Sequence, residues 1–518
     1  AFSALAIFFM AQQSRADINW DGDGTTGNFS WSENWYGNSQ PGWGFGSGNL
    51  VFNYRNNASQ TSLYWDYGTG STWNSINDIF FASTFGAALT WNGNGGGINF
   101  NQRIQNDSSY TITIGTMNLS GGKNGASQIE LNPVSGDLTL NGNIYNDNNL
   151  NFKTYGGNSK LLTINTTLNG SSSVGYSIEQ YSKVYITAAQ KIGGSSAFDV
   201  KTGELWIGTG GSLTNGMRIN LGLNDANTAK FYLTGTASDS HDITVANNGG
   251  TKVVGTLGTG GATNTFSGNI TNSPTSGGVL LENTADGVAN FTGVISGSGS
   301  VQVGGSSTTA TVILAGNNTF SGPLTLSAGT LSITNANSLG RGQINIGNAG
   351  ILNTLLVNSN TTITNTLQVF NAATNGVINV ASGTTTTVTG KLTQDSSKTN
   401  STKFGKDGAG TLILNNASSD FNGQMQVGNG TVILGATAAL GTNTSTAARG
   451  VDLGLNVGDT SMTNNVSLLA SNGVTVGQSI YVATSVNGGV TNTRTIGLSG
   501  NGTNSYTCLL YTSDAADD

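Results

Sequence analysis

The chain reads as an all-β solenoid, and three features of the sequence carry that expectation. Short stretches with strand periodicity recur, no long amphipathic helical pattern appears, and one segment is repeated. Internal repeats come first because they set the architecture. Thr311 to Gly340 returns one hundred and one residues later. In the first copy Phe320-Ser321-Gly322 precedes Leu324 and Leu326, then Gly329-Thr330-Leu331-Ser332-Ile333, then Leu339-Gly340. In the second, Phe421-Asn422-Gly423 precedes Met425 and Val427, then Gly430-Thr431-Val432-Ile433-Leu434, then Leu440-Gly441. Upstream, Thr311-Val312-Ile313-Leu314 matches Thr411-Leu412-Ile413-Leu414 with one residue inserted between strand and Phe. Shorter echoes stand at Phe266-Ser267-Gly268 and Phe291-Thr292-Gly293.

Leu324/Leu326 and Leu331/Ile333 are apolar at spacing two, with Thr or Ser between, which predicts strands with one dry and one wet face. Thr, Val, Ile and Leu suit a pleated, half-buried surface. Gly322 and Gly329 punctuate the strands where positive φ is expected. One unit cannot bury its dry face alone, whereas stacked units can. Leu326 and Leu331 are therefore expected to point inward, and Phe320 and Phe421 to occupy equivalent corners.

Composition fits an extracellular all-β protein. Gly accounts for 77 of 518 residues and Pro for 4, while charged residues are only 9%. Disorder is disfavoured because 36% of residues are apolar and strand-patterned. The net charge of −7 makes no case for nucleic acid.

Four regions are expected. Residues 1–16 combine an apolar run, too short to span a bilayer, with Ser14-Arg15-Ala16, and read as a partial signal peptide. Residues 17–110 form a Trp-rich cap region holding seven of the eight Trp. Residues 111–507 form the repeat region, clearest over 261–441. Residues 508–518, Cys508 to Asp518, resemble the translation of a sequencing adapter and are expected to make no sequence-specified packing. That run holds the one cysteine, so disulfides and thiolate metal sites are not expected elsewhere.

The repeat itself resembles a known family. Asn318-Thr319-Phe320-Ser321-Gly322 with Ala328-Gly329-Thr330-Leu331, and Gly408-Ala409-Gly410-Thr411-Leu412-Ile413-Leu414 with Asp420-Phe421-Asn422-Gly423, are similar to the passenger-associated, autotransporter-associated β-strand repeat of bacterial surface proteins. The Trp20-Asp21-Gly22, Trp31 and Asn34-Trp35 opening is similar to the start of many such proteins. The resemblance implies a right-handed parallel β-helix, display at the outer membrane, and a C-terminal translocator barrel as partner. No barrel is read in this sequence.

Candidate chemistry is sparse. Asp17-x-Asn19-x-Asp21-Gly22 begins like a calcium loop, but position twelve is Asn28 rather than Glu, so a polar turn is the preferred reading. His241, the one histidine, lies between Asp239 and Asp242 with no nucleophile nearby in sequence and is expected to be a solvated loop residue. Glu130, Asp137 and Glu179 are well separated, and Glu282 and Asp286 are the closest suggestive pair.

Three readings follow, and no cofactor or metal is expected in any of them. The preferred one is a non-catalytic secreted or cell-surface rod, adhesive or structural, that meets surface glycans or neighbouring cells. Its repeat-defining residues are Phe266, Gly268, Phe291, Gly293, Phe320, Gly322, Gly329, Leu331, Phe421, Gly423, Gly430 and Val432. A β-helix polysaccharide lyase or hydrolase would need carboxylates from neighbouring rungs to converge. A glycan-binding module would stack Trp20, Trp31 and Trp35 on sugars.

Overall fold

The computed structural model describes residues 18–20, 35, 48–53, 62–65 and 72–512, apart from short internal stretches, the longest being 442–449, 456–462 and 484–491. Residues 1–16, most of the calcium-loop-like opening, Trp31, and 513–518 lie outside the described residues. Over the described residues the protein is a parallel β-solenoid with almost no helix. Among the described residues the helical element is one short 3-10 turn, Ala336–Leu339. Two compact units divide the chain, residues 1–231 and 232–518.

In the first unit one sheet runs Ile18–Trp20, Leu50–Phe52, Thr72–Phe81, Gly97–Asn106, Ile129–Pro133, Phe152–Thr154, Tyr176–Ile178, Ala197–Val200 and Arg218–Leu221, every pair parallel. A second sheet runs Ser62–Trp65, Leu89–Gly93, Ile112–Ile114, Leu138–Leu140, Leu161–Ile164, Lys183–Ile186 and Gly203–Ile207. Short strands Asn118–Gly121, Ile144–Asn146 and Leu168–Asn169 branch off the first sheet at Gly97–Asn106 and stack in the same way. Chain order and stacking order agree on each face, as a coil that returns to the same face once per turn requires. Side-chain bonds between neighbouring turns here link residues 22 to 24 apart.

The alternation foreseen from sequence fills the interior. Leu138, Leu162, Val184 and Leu205 form one fully buried column, and Leu140, Ile164, Ile186 and Ile207 its neighbour. Aromatic rings stack in the same way. Phe52 lies 4.6 Å from Phe81 at 7°, and Tyr176 lies 4.6 Å from Phe198 at 6°. The Trp-rich cluster is present: Trp20 meets Trp35 edge-on at 5.0 Å, and Trp91 packs against Phe52 at 5.3 Å.

In the second unit the longest sheet includes Ala262–Phe266, Gly287–Phe291, Thr311–Leu314, Gly329–Ile333 and Asn353–Val357. A separate sheet begins at Thr361–Ile363 and continues through Thr385–Val388, Thr411–Leu414, Gly430–Leu434, Val466–Ala470 and Arg494–Leu498. Leu331 and Val432 point inward and are fully buried.

Two expectations about the repeat are corrected. Within each copy the geometry recurs, since Thr311–Leu314 stacks on Gly329–Ile333 and Thr411–Leu414 on Gly430–Leu434. The copies nevertheless occupy different sheets, so Phe320 and Phe421 are not equivalent corners. Phe320 donates its N–H to Ile295, and Asp420, beside Phe421, donates to Leu392 of another face. The second correction concerns glycine. Gly329 takes positive φ, +69°, as foreseen, and its counterpart Gly430 does the same at +71°, whereas Gly322 does not. Its constraint is close approach, because a Cβ there would lie 2.4 Å from the Gly299 carbonyl. Gly268 and Gly293 follow the same rule, each with a carbonyl of the preceding turn 2.0 Å from an added Cβ, and Gly423 would meet Thr402.

At the far end Leu510–Thr512 pairs in parallel with Ile480–Val482. The run from Cys508, expected to make no sequence-specified packing, thus joins the sheet through the backbone of these three residues, while Leu509 and Leu510 stay 50% and 59% exposed. Their backbone hydrogen-bonding groups extend an existing ladder, which any strand-compatible sequence can do.

Candidate functional site

Chemistry-bearing side chains gather on the outward faces of the first unit. On its first sheet the register aligns Arg103, Glu130, Lys153, Ser177, Asp199 and Asn220 in one column. On its second sheet it aligns Thr90, Thr113, Thr139, Thr163, Tyr185 and Trp206. Both columns arise because the strand period of two turns the residues between core positions outward.

Glu130, isolated in sequence, is the hub of a polar cluster. Its Oε2 accepts from Arg103 Nε at 2.7 Å and Asn132 Nδ2 at 3.1 Å. Its Oε1 accepts from Gln102 Nε2 at 3.0 Å and Gln128 Nε2 at 2.5 Å. Burial works against the charged carboxylate, but bonds from Gln128 and the Arg103 charge hold it below the ordinary glutamate value. Asp78, which accepts the Arg103 backbone N–H at 2.9 Å, is shifted the other way, pushed up by burial and partly restrained by Arg103.

Opposed carboxyl shifts can mark an acid and a base. Here the four donors around Glu130 occupy the positions a proton transfer would use, so the arrangement is a clamp across neighbouring turns. A double-mutant cycle with Arg103→Ala and Glu130→Ala is expected to give a coupling of about 1–2 kcal/mol. Because the Glu130 pKa is depressed, that coupling is present above the ordinary glutamate pKa. It is lost as pH falls through the folded value, and urea titrations at pH 7 and pH 3 would show this.

Two further groups join residues that the sequence keeps apart. Glu179 lies between Lys201, 2.9 Å away, and Lys153, 3.7 Å away. Glu204 lies between Lys230 at 3.3 Å and Lys183 at 4.0 Å. Trp206 Nε1 donates to Glu204 at 2.8 Å, the Lys183 ammonium lies 5.0 Å from the Trp206 ring centre, and Tyr185 meets that ring edge-on at 6.2 Å. No motif marks these groups, because their members are neighbours only once the turns stack. The available signal was charge of alternating sign on successive turns, in one column for Lys183 and Glu204 and two positions apart for Lys153 and Glu179, and it needs the register first.

The residues singled out from sequence divide as follows. Trp20 and Trp35 are each 1% exposed, so their ring faces are packed against other core rings and do not present a sugar-stacking surface. The glycan reading of those two is corrected, and Trp31 lies outside the described residues. His241 is buried rather than solvated, its Nδ1 2.7 Å from Asp239 Oδ1. Burial suits a ring whose polar edge is already engaged by a carboxylate. Glu282 accepts the Tyr232 hydroxyl and Asp286 accepts from Thr309, so each carboxylate has its own partner. Phe266 and Phe291 stack at 4.6 Å and, like Phe320 and Phe421, lie in the core. Among the described residues no three His, Cys, Asp or Glu side chains gather closely enough to hold a metal ion.

Stacked parallel turns with glycine-punctuated strands define a β-solenoid repeat protein. Residues 309–333 and 404–434 match the passenger-associated-transport-repeat family, and these stretches cover the two copies read from the sequence. Each of the two copies thus contains one such repeat. No curated protein and no solved structure matches the chain.

Proposed function

We propose that this chain is a passenger-type β-helix protein of the bacterial cell surface or its surroundings, non-catalytic, and adhesive or structural in role. The carrying observation is the coincidence of the two passenger-associated-transport-repeat matches with stacked parallel turns. A stack of turns places its apolar side chains inside and offers Thr, Asn and Ser side chains in repeating outward rows. Such rows suit many weak contacts with surface glycans or a neighbouring cell. Delivery by an outer-membrane translocator is the partner relation the repeat family suggests.

Surface display is tested by expressing the chain fused to a translocator barrel and asking whether external protease removes it from intact cells. Protection from protease in cells with a leak-free envelope would count against display. Catalysis is tested by incubating the purified chain with a polysaccharide panel and measuring reducing ends and unsaturated products. No turnover is expected. Turnover abolished by changing one carboxylate, with folding intact, would overturn the non-catalytic reading.

A further inference from the structure

The sign of the charge reverses in one part of the first unit. Between Lys153 and Lys230 the sequence places seven basic residues against four acidic ones, within a chain whose net charge is −7. The two Lys–Glu–Lys groups described above belong to this stretch, and they flank a single corner. Glu179 ends the first-sheet side of that corner, and Lys183 opens the second-sheet strand after Gln180, Tyr181 and Ser182. One turn on, Lys201 and Glu204 bracket the same corner. Backbone bonds hold the turns in register: Glu179 N–H donates to Thr154, Lys201 N–H to Ile178, Lys183 N–H to Lys160, and Glu204 N–H to Ser182.

In each group one carboxylate serves two ammonium groups, so each is left with a surplus positive charge. The lysine side chains remain about a quarter to a third exposed, at 27% to 31%, while the glutamates are withdrawn to 14% and 16%. The carboxylates therefore position the lysines, and the lysines face solvent. Bonds from Ser177 and Lys201 keep Glu179 charged against the effect of burial, so the positioning persists through neutral and mildly acidic pH. Between the two groups Tyr181 stands 53% exposed. Beside Lys183 the column of outward threonines ends in Tyr185 and Trp206.

We propose that this corner, with Lys153, Lys201, Tyr181, Lys183, Lys230 and Trp206, binds an acidic polysaccharide. Ammonium groups repeat along the stacking direction at the rung interval of ~4.8 Å or its double, matching a polymer with one carboxylate or sulfate per sugar. Exposed Tyr181 offers a ring face to the apolar side of a sugar, and threonine hydroxyls continue the track. A nucleic-acid duplex fits less well. It carries a charge about every 1.7 Å, and the rest of this chain is acidic and repels it. The proposal gives the adhesive reading a specific ligand class, but binding in solution does not depend on display.

The test is equilibrium binding of the purified chain to polygalacturonate, dextran sulfate, neutral dextran and a DNA duplex of arbitrary sequence. Binding to at least one acidic polysaccharide is expected, with none to dextran and weaker affinity for the duplex. Lys183→Gln with Lys230→Gln is expected to weaken it about tenfold and to flatten its salt dependence. Tyr181→Ala should weaken it several-fold with the salt dependence unchanged. Lys403→Gln, an exposed lysine of the second unit, should change nothing. Circular dichroism separates lost binding from lost folding, and Tyr181→Ala gives a readout that does not disturb an ion pair. Absence of binding to both acidic polymers would overturn the proposal. Binding equal for the duplex, or indifferent to both the lysine and the tyrosine changes, would overturn it too. Either result would leave the surface-display experiment unaffected.

Discussion

Leu331→Asp is expected to unfold the stack around the first repeat copy, at a cost above about 5 kcal/mol. Leu331 is fully buried, with Val312 on one side of its column and Leu355 on the other. The substitution removes the packed side chain and places a carboxyl among apolar neighbours with no partner. In a solenoid each turn is stabilised mainly by its neighbours, so the damage should be local to those turns. Limited proteolysis should then show new cleavage near residues 300–360. Leu331→Met, which conserves volume, should cost less than about 1.5 kcal/mol. Val432→Asp should behave like Leu331→Asp in the second copy, since Val432 is equally buried between Leu412 and Leu468. Wild-type stability in either Asp variant would refute the assignment of these positions to the core.

The second large effect concerns pH and Lys406. This side chain is fully buried, and its ammonium donates to the carbonyls of Asp407 at 2.9 Å, Gly408 at 2.6 Å and Asn429 at 2.9 Å. Burial lowers its pKa to about 8, with the Asp407 charge acting in the opposite direction. In the unfolded chain the lysine keeps its proton up to the ordinary value near 10.5. Between about 8 and 10.5 the unfolded state therefore binds more protons than the folded one, and stability should rise with pH. The three carbonyls favour the charged form and offset part of this, so the expected gain is about 1–3 kcal/mol. Comparing urea unfolding of wild type and Lys406→Met from pH 7.5 to 10.5 isolates the effect from other titrating groups. A difference between the two proteins that stays flat with pH would disprove the assignment.

Much of the fold could be read from local pattern. Alternation in Leu324–Leu326, Gly329–Ile333 and Gly430–Leu434 reported which side chains go inside, because side-chain direction along a strand is fixed by covalent geometry. Gly329 was legible for a similar reason, as positive φ is a property of one residue and its neighbours. The repeat at 309–333 and 404–434 was also plain in the chain, since recurrence needs no folding to be seen.

What the sequence could not decide were relations between turns. The two repeat copies look interchangeable, yet Thr311–Leu314 and Gly329–Ile333 lie in one sheet while Thr411–Leu414 and Gly430–Leu434 lie in the separate sheet that begins at Thr361–Ile363. Gly322 looked like a turn glycine, but its constraint is the Gly299 carbonyl of the turn before it. For Trp20 and Trp35 a sealing cap was the preferred reading and a sugar platform the alternative, until packing enclosed both rings. The Lys153–Glu179–Lys201 and Lys183–Glu204–Lys230 groups exist only through register. Turn lengths vary along the chain, and nothing local counts them, so the column a residue joins is settled by the stacking of buried side chains over the whole coil. The sequence by itself determined a stack of glycine-punctuated strands with known inward residues. Only the tertiary structure decided which outward charges meet, because that depends on the summed length of every turn between them.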